Sequence, residues 1–244
     1  MEVFLMGYKR YLPLAGILIS AALMLYLSVV DPGELSRYAP SLSFVFIVSL
    51  VGLFFLEYET SNLSSKEVAL VGMMAATIAV ARIPFAALPQ IQPCTFLIIA
   101  VGLVFGSLSG MMCGALTAGV SNLFLGQGAW TPWQMLGWGL VGLIAGYVGS
   151  RYPDLDLRMI ALLGVGASLF YGLLLDISSW IMFYEVDPAR LVAVLSLGMP
   201  FNIAHAVGTV VFTFALGKPV LFYLRRFKMR FHVRYSGEAE ALTS

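Results

Sequence analysis

Eight apolar stretches, each nearly free of charge, follow one another with little between them. They run over about 11–30, 41–57, 67–87, 94–108, 109–125, 132–150, 158–184 and 190–223. A helix that crosses a bilayer needs roughly 20 predominantly apolar residues, and most of these runs approach or exceed that length. The chain is 60% hydrophobic and only 11% charged over its 244 residues. A soluble domain carries about 25% charged residues. So much apolar surface cannot be hidden in a core of this chain's own making, and lipid must be its solvent. The expected fold is an all-α integral membrane protein.

The fourth run is short and ends in the turn sequence Gly106-Ser107-Leu108-Ser109-Gly110. The last run is long and holds Pro200, where a kink or break is expected. Lys9-Arg10 precedes the first run with no small-residue cleavage site after it, which predicts a retained helix rather than a cleaved signal. Val30-Asp31-Pro32-Gly33-Glu34 reads as a turn. The stretch 57–67, EYETSNLSSKE, is the longest polar segment between helices. It divides two accessory helices with their linker (1–63) from a six-helix core (64–230), which a polar, frayed tail follows (231–244). Ser64 and Glu67 have the spacing of a capping box at the start of the third helix.

Orientation follows from the basic residues. With the N-terminus in the cytoplasm, eleven of the 14 Lys and Arg fall on the cytoplasmic side. Arg37, Arg82 and Arg190 remain at or near the outer end. Both termini are then cytoplasmic, and the chain is a multi-pass protein of the cell membrane.

Known chemistries find little support. The chain has no His-Glu-x-x-His, phosphate-binding glycine loop or Gly-x-Ser-x-Gly pattern. Cys94 and Cys113 have no metal-ligand spacing and are expected at different depths, so neither a metal site nor a disulfide is predicted. The formal net charge of +1 gives no footing for nucleic acid. No catalytic residue, metal or cofactor is expected.

Two polar knots stand out instead. Gln90-Ile91-Gln92-Pro93 follows the third run, and the stretch GQGAWTPWQM, residues 126–135, precedes the sixth. Both fall on the outer face. Trp130 and Trp133 suit an aromatic belt at the interface or the wall of a pocket. Gln127, Thr131, Gln134 and Trp138 in the same stretch favour a pocket, since Gln134 and Trp138 share a helix face and a buried glutamine needs partners. With Gln90 and Gln92 they make a neutral, amide-rich, aromatic-walled site for a large hydrogen-bonding organic ligand.

Asp176 lies mid-run, where a carboxylate costs roughly 2.5–3.5 kcal/mol on insertion scales. It either lines the ligand cavity beside Trp180 or accepts a structural hydrogen bond from Asn202, His205 or Trp180. Arg82 either snorkels to the interface or holds a loop carbonyl. Small residues four apart, Ala75/Ala79 and Gly72/Ala76, allow close helix approach to a partner or within the chain. Gly137, Gly139, Gly142 and Gly146 do the same on the sixth run.

From about Glu67 to Leu224 the sequence resembles the S-components of energy-coupling factor (ECF) vitamin transporters. The residues carrying the resemblance are Ala75/Ala79, ARIPFAALPQIQP, GLVFGSLSGMMCGALTAGVSN, GQGAWTPWQMLGWGLVGLIAG and MPFNIAHAVGTVVF. The resemblance implies a six-helix membrane subunit, not an enzyme, that captures a vitamin at the outer face. It implies delivery through one transmembrane coupling subunit and two ATPase subunits, with Gly72, Ala75, Ala76 and Ala79 toward the coupling partner. By the same resemblance Asn122, Asn202 and His205 join the site with Gln90, Gln92, Gln127, Trp130, Thr131, Trp133, Gln134, Trp138, Asp176 and Trp180. GQGxWTPWQM looks most like the cobalamin-type branch, with a riboflavin-type branch the alternative. An autonomous secondary transporter is the competing class, which would favour inverted repeats and charged relays. The two N-terminal helices are absent from the usual core and are expected as an accessory or docking element.

Overall fold

A computed structural model describes the backbone of residues 2–59, 61, 65–184 and 186–243, and most side chains of 13–229. Among these residues it is all helix and connection: α1 (Glu2–Val30), α2 (Pro32–Glu59), α3 (Ser65–Arg82), α4 (Cys94–Phe105), α5 (Ser107–Leu125), α6 (Thr131–Arg151), α7 (Leu157–Phe183) and α8 (Pro188–Thr243). A single 3-10 turn, Ile83–Phe85, follows α3.

The connections are short, so sequential helices run antiparallel. Between α1 and α2 only Asp31 is non-helical. Its Oδ1 accepts from Gly33 N and Glu34 N, each at 3.1 Å, with Pro32 next in line. An acceptor side chain before a proline at the first helical position is a strong start signal. Asp156 caps α7 in the same way, accepting from Met159 N at 2.8 Å. The Ser64 cap expected for α3 lies outside the described residues.

Among the described residues, five helical stretches are long and apolar enough to cross a membrane: Arg37–Leu56, Lys66–Phe85, Ser107–Leu125, Leu157–Phe183 and Pro188–Met229. Helix α4, with 12 residues, is about 18 Å long at 1.5 Å per residue, short of a ~30 Å hydrocarbon core. It is buried nearly all round, with Phe96, Ile98, Ile99 and Val101 at 2% exposure or less. A helix apolar on every face belongs in the middle of a bundle. Helices α5 and α6 close against it backbone to backbone. A Cβ on Gly142 would collide with the Gly110 carbonyl, and one on Gly110 with the Gly142 carbonyl. The glycines of the sixth run therefore serve packing within this chain.

Of the kink or break expected at Pro200, no break is present. Helix α8 runs unbroken through Pro200 and Pro219. A proline removes one intrahelical bond, and α7 packs along α8. The segment after 230, expected as a frayed tail, carries the α8 backbone, while its side chains lie outside the described residues.

Helices α1 and α2 pack on one another, and α2 seats this pair on the rest through α5, α6 and α7. Ile47 and Val51 of α2 share an apolar cluster with Trp133 and Leu136 of α6. On α3, Ala75 and Ala79 are 1% and 0% exposed, whereas Gly72 and Ala76 are exposed. Ala75 belongs to the main core cluster. In this conformation a partner meeting α3 would touch Gly72 and Ala76, because Ala75 and Ala79 are already covered by the chain's own helices.

Candidate functional site

Arg82 is the last residue of α3 and the only charged residue between Glu67 and Arg151. The 3-10 turn and the loop to Pro93 fold back over it and deliver Gln92. Arg82 Nε donates to Gln92 Oε1 at 2.8 Å, and Nη1 donates to Ser121 Oγ at 2.7 Å and Asn122 Oδ1 at 3.0 Å. Asn122 passes the network on: its Nδ2 donates to Thr131 Oγ1 at 3.0 Å and Gln134 Oε1 at 2.7 Å. Gln92, Ser121 and Asn122 are all neutral, so none of them is a counter-ion to the guanidinium. An arginine has five N–H donors, and Nη2 makes no hydrogen bond among the described residues.

Beneath Arg82 lies an aromatic layer. The guanidinium carbon sits 5.0 Å from the centre of the Trp138 ring, a cation–π contact. Trp138 stacks on Tyr171 at 4.8 Å, and Tyr171 meets the His205 ring edge-on at 5.4 Å. Trp138 Nε1 donates to Thr95 Oγ1 at 3.1 Å, and Thr95 Oγ1 is 2.7 Å from His205 Nε2. The direction of that last bond follows the histidine tautomer. Thr95, Trp138, Tyr171 and His205 are all buried. Helices α3 to α8 thus each contribute a side chain to one polar and aromatic cluster at one end of the bundle.

The two polar knots lie at this same end. Of the residues singled out in the sequence, Gln92, Asn122, Thr131, Gln134, Trp138 and His205 belong to the cluster. Gln90 is exposed in the loop, with a left-handed backbone at φ 60°. Gln127 is exposed and donates to the Gly119 carbonyl at 2.9 Å. Trp130 is 42% exposed and folds over Gly128. Trp133 is turned away, buried against α2 with no hydrogen-bond partner for its Nε1 among the described residues.

Asp176 and Asn202 form a separate pair in the α7–α8 seam: Asn202 Nδ2 donates to Asp176 Oδ2 at 2.7 Å. Trp180 Nε1 donates to the Asp187 carbonyl at 3.2 Å, steadying the α7–α8 turn. Asp176 and Trp180, four apart on one helix, therefore serve different contacts.

Sequence reasoning left four members out: Arg82, Thr95, Ser121 and Tyr171. The signal for Arg82 was available, since one lone charge in more than eighty residues of apolar chain is a functional candidate by default. Thr95, Ser121 and Tyr171 are residue types common in any helix, and only the fold marks them.

The fold defines a multi-pass, all-α membrane protein in which six helices converge on an arginine-centred cluster. Residues 62–220 match the family model described as ECF-type riboflavin transporter, S component, and the chain belongs to that family. The family is one of transporter components, not of enzymes. Among curated proteins, a UPF0397 protein of Aliivibrio salmonicida is 30% identical over 104 residues, which is 41% of this chain and 54% of that protein. A UPF0397 protein of Vibrio atlanticus is 29% identical over 90 residues, 35% of this chain and 49% of that protein. The chain spans about half the length of the curated relatives it matches. No solved structure matches.

Proposed function

We propose that this chain is the substrate-capture subunit of an ECF-type importer and takes a vitamin at the Arg82 end of the bundle. The observation that carries this is the Arg82 guanidinium. It is fixed by Gln92, Ser121 and Asn122, it lies on Trp138, and its Nη2 donors are uncommitted among the described residues. The two free N–H donors on Nη2 diverge, so they suit one or two carbonyl acceptors such as those of a cyclic dione, and the adjacent amides of Gln92 and Gln134 suit further neutral polar groups. A flavin-class vitamin has that edge on a planar ring, and the family description supports the same class.

The second reading is a corrinoid. Its support is the GQGxWTPWQM run. Two of that run's polar or aromatic members are occupied within the chain, Gln127 on the Gly119 carbonyl and Trp133 against α2. This leaves fewer free amides than a corrinoid periphery would engage, so the flavin class is preferred.

In this proposal the Arg82 end faces outward, both termini are cytoplasmic, and a coupling membrane subunit with two ATPases drives delivery. The purified chain should quench riboflavin fluorescence on titration without ATP, and cobalamin should not compete. Uptake in cells should then require the ATPase subunits. Cobalamin binding without riboflavin binding would select the corrinoid. Uptake that persists without any ATPase would make the chain an autonomous transporter instead.

A further inference from the structure

At the end of the bundle away from Arg82, a groove of about 810 Å³ opens between α8 and the start of α7. Its lining is of two kinds. Lys218, Arg225 and Arg226 supply cations, while Leu157, Leu221 and Phe222 supply apolar surface. One carboxylate, Asp156, also borders it, and its Oδ1 is held by the Met159 amide as the cap of α7.

The cations at this end divide by what they do. Arg225 Nη2 donates to the Pro153 carbonyl at 2.9 Å, and Lys228 Nζ donates to the Val104 carbonyl at 2.6 Å. These two tie α8 to the α6–α7 connection and to the end of α4. Lys218 and Arg226 have no hydrogen bond or ion pair among the described residues. The groove also has a defined depth. Leu157 begins the apolar span of α7, and Gly217, next to Lys218, abuts Leu157. Lys218 therefore lies level with the start of the α7 apolar span, with Arg226 about two turns further along α8 and exposed Phe222 between them.

We infer that this groove is a binding site for one anionic phospholipid, its phosphate held by Lys218 and Arg226 and an acyl chain laid along Leu157, Leu221 and Phe222. Basic pockets between helices at the membrane surface recognise anionic headgroups, and each such cation near the surface is worth about a fivefold change in binding. A free phosphate would use the cations but not the apolar wall, so the mixed lining favours the lipid. The inference needs no particular vitamin and stands apart from the Arg82 site.

The test uses the full chain in detergent, mixed with equal amounts of phosphatidylglycerol and phosphatidylcholine, with retained lipid read by mass spectrometry. Wild-type protein should retain phosphatidylglycerol in preference. Lys218→Gln with Arg226→Gln should lower that preference about 25-fold, at about fivefold per charge. Lys218→Arg keeps the charge and should retain it, which provides a reading even if the double variant folds poorly. Arg158→Gln, an exposed cation at the same end but outside the groove, should change nothing. Equal retention of the two lipids by wild type would overturn the proposal, as would an equal loss in Arg158→Gln. Displacement of phosphatidylglycerol by millimolar inorganic phosphate would make this a free-anion site. A double variant that keeps its lipid preference but no longer associates with the ATP-driven partner would make it a protein-docking surface.

Discussion

Asp176 of α7 and Asn202 of α8 are each seated over a glycine of the other's helix. Asn202 fills the space a side chain at Gly172 would take, and the Asp176 carboxylate fills the space over Gly198. Gly172 precedes Asp176 by four residues and Gly198 precedes Asn202 by four, so the arrangement is reciprocal across the antiparallel pair. Their 2.7 Å hydrogen bond closes it. A buried amide and a partly buried carboxylate in a helix seam thus satisfy one another, which offsets the cost of placing a carboxylate in a membrane span.

This geometry predicts an order of damage. Interhelical hydrogen bonds in membranes average about 0.6 kcal/mol and reach about 1.7. Asp176→Asn keeps an acceptor and should cost less than that upper figure. Gly198→Leu expels the carboxylate from its notch and adds overpacking, typically about 1–3 kcal/mol. Thermal melts of the purified chain should rank Gly198→Leu well below Asp176→Asn. Riboflavin binding by Asp176→Asn should stay within about threefold of wild type, because its effect is on stability. The reverse order of melting temperatures would mean that the carboxylate has another partner.

Arg82 predicts a loss in affinity that charge alone does not restore. A lysine has one ammonium where the guanidinium bridges Gln92, Ser121 and Asn122 and still presents Nη2. Hydrogen bonds to charged groups contribute about 1.5–3 kcal/mol each. Arg82→Lys should therefore weaken vitamin binding by roughly 10-fold or more, and Arg82→Gln at least as much. Calorimetric titration of both variants checks this. Unchanged affinity in Arg82→Lys would remove the guanidinium fork from recognition.

The helices were legible because apolar run length and turn chemistry speak directly in sequence. The expected runs 109–125, 132–150 and 158–184 each differ from α5, α6 and α7 by no more than two residues at either end. The faces were less legible. Nearly every residue of α4 is apolar, so no periodicity marks which side meets which neighbour. Ala75/Ala79 and Gly72/Ala76 have the same spacing, and only the packing of α3 against its neighbours makes one pair internal and the other exposed. Trp133 and Trp138 were indistinguishable as aromatic residues on α6. Their offset of five residues turns one toward α2 and the other toward Arg82. The Arg82 cluster joins residues up to 110 positions apart by its own hydrogen bonds, a relation that local sequence does not carry.

The two small-residue pairs of α3 predict opposite outcomes. Ala79→Leu inserts bulk into a closed core and should cost about 1–3 kcal/mol of stability, with or without a partner subunit. Ala76→Leu points outward and should leave the melting temperature and vitamin binding of the isolated chain unchanged. If the coupling subunit meets α3, Ala76→Leu should reduce co-purification with it. Stability loss in Ala76→Leu equal to that in Ala79→Leu would show that both sides are packed.

Thr95 predicts the largest effect from the smallest change. Its hydroxyl accepts from Trp138 Nε1 at 3.1 Å and bonds His205 Nε2 at 2.7 Å, and all three residues are buried. Thr95→Val preserves volume but strips both neighbours of their partner. A buried donor or acceptor left unpaired costs about 1–3 kcal/mol, so two should cost about 2–6 kcal/mol. Trp138→Phe removes the indole N–H together with some ring volume, leaves an aromatic ring against Tyr171 and leaves the Thr95–His205 bond in place. Its lost hydrogen bond should cost no more than about 2 kcal/mol, with a cavity cost for the lost ring volume added. Near-ultraviolet circular dichroism melts of the two variants measure the two losses. The double variant carries the sharper check: with Trp138 already Phe, Thr95→Val orphans His205 alone and should cost less than it does in the wild-type background. Strict additivity of the two changes would mean that the indole and the hydroxyl are not coupled.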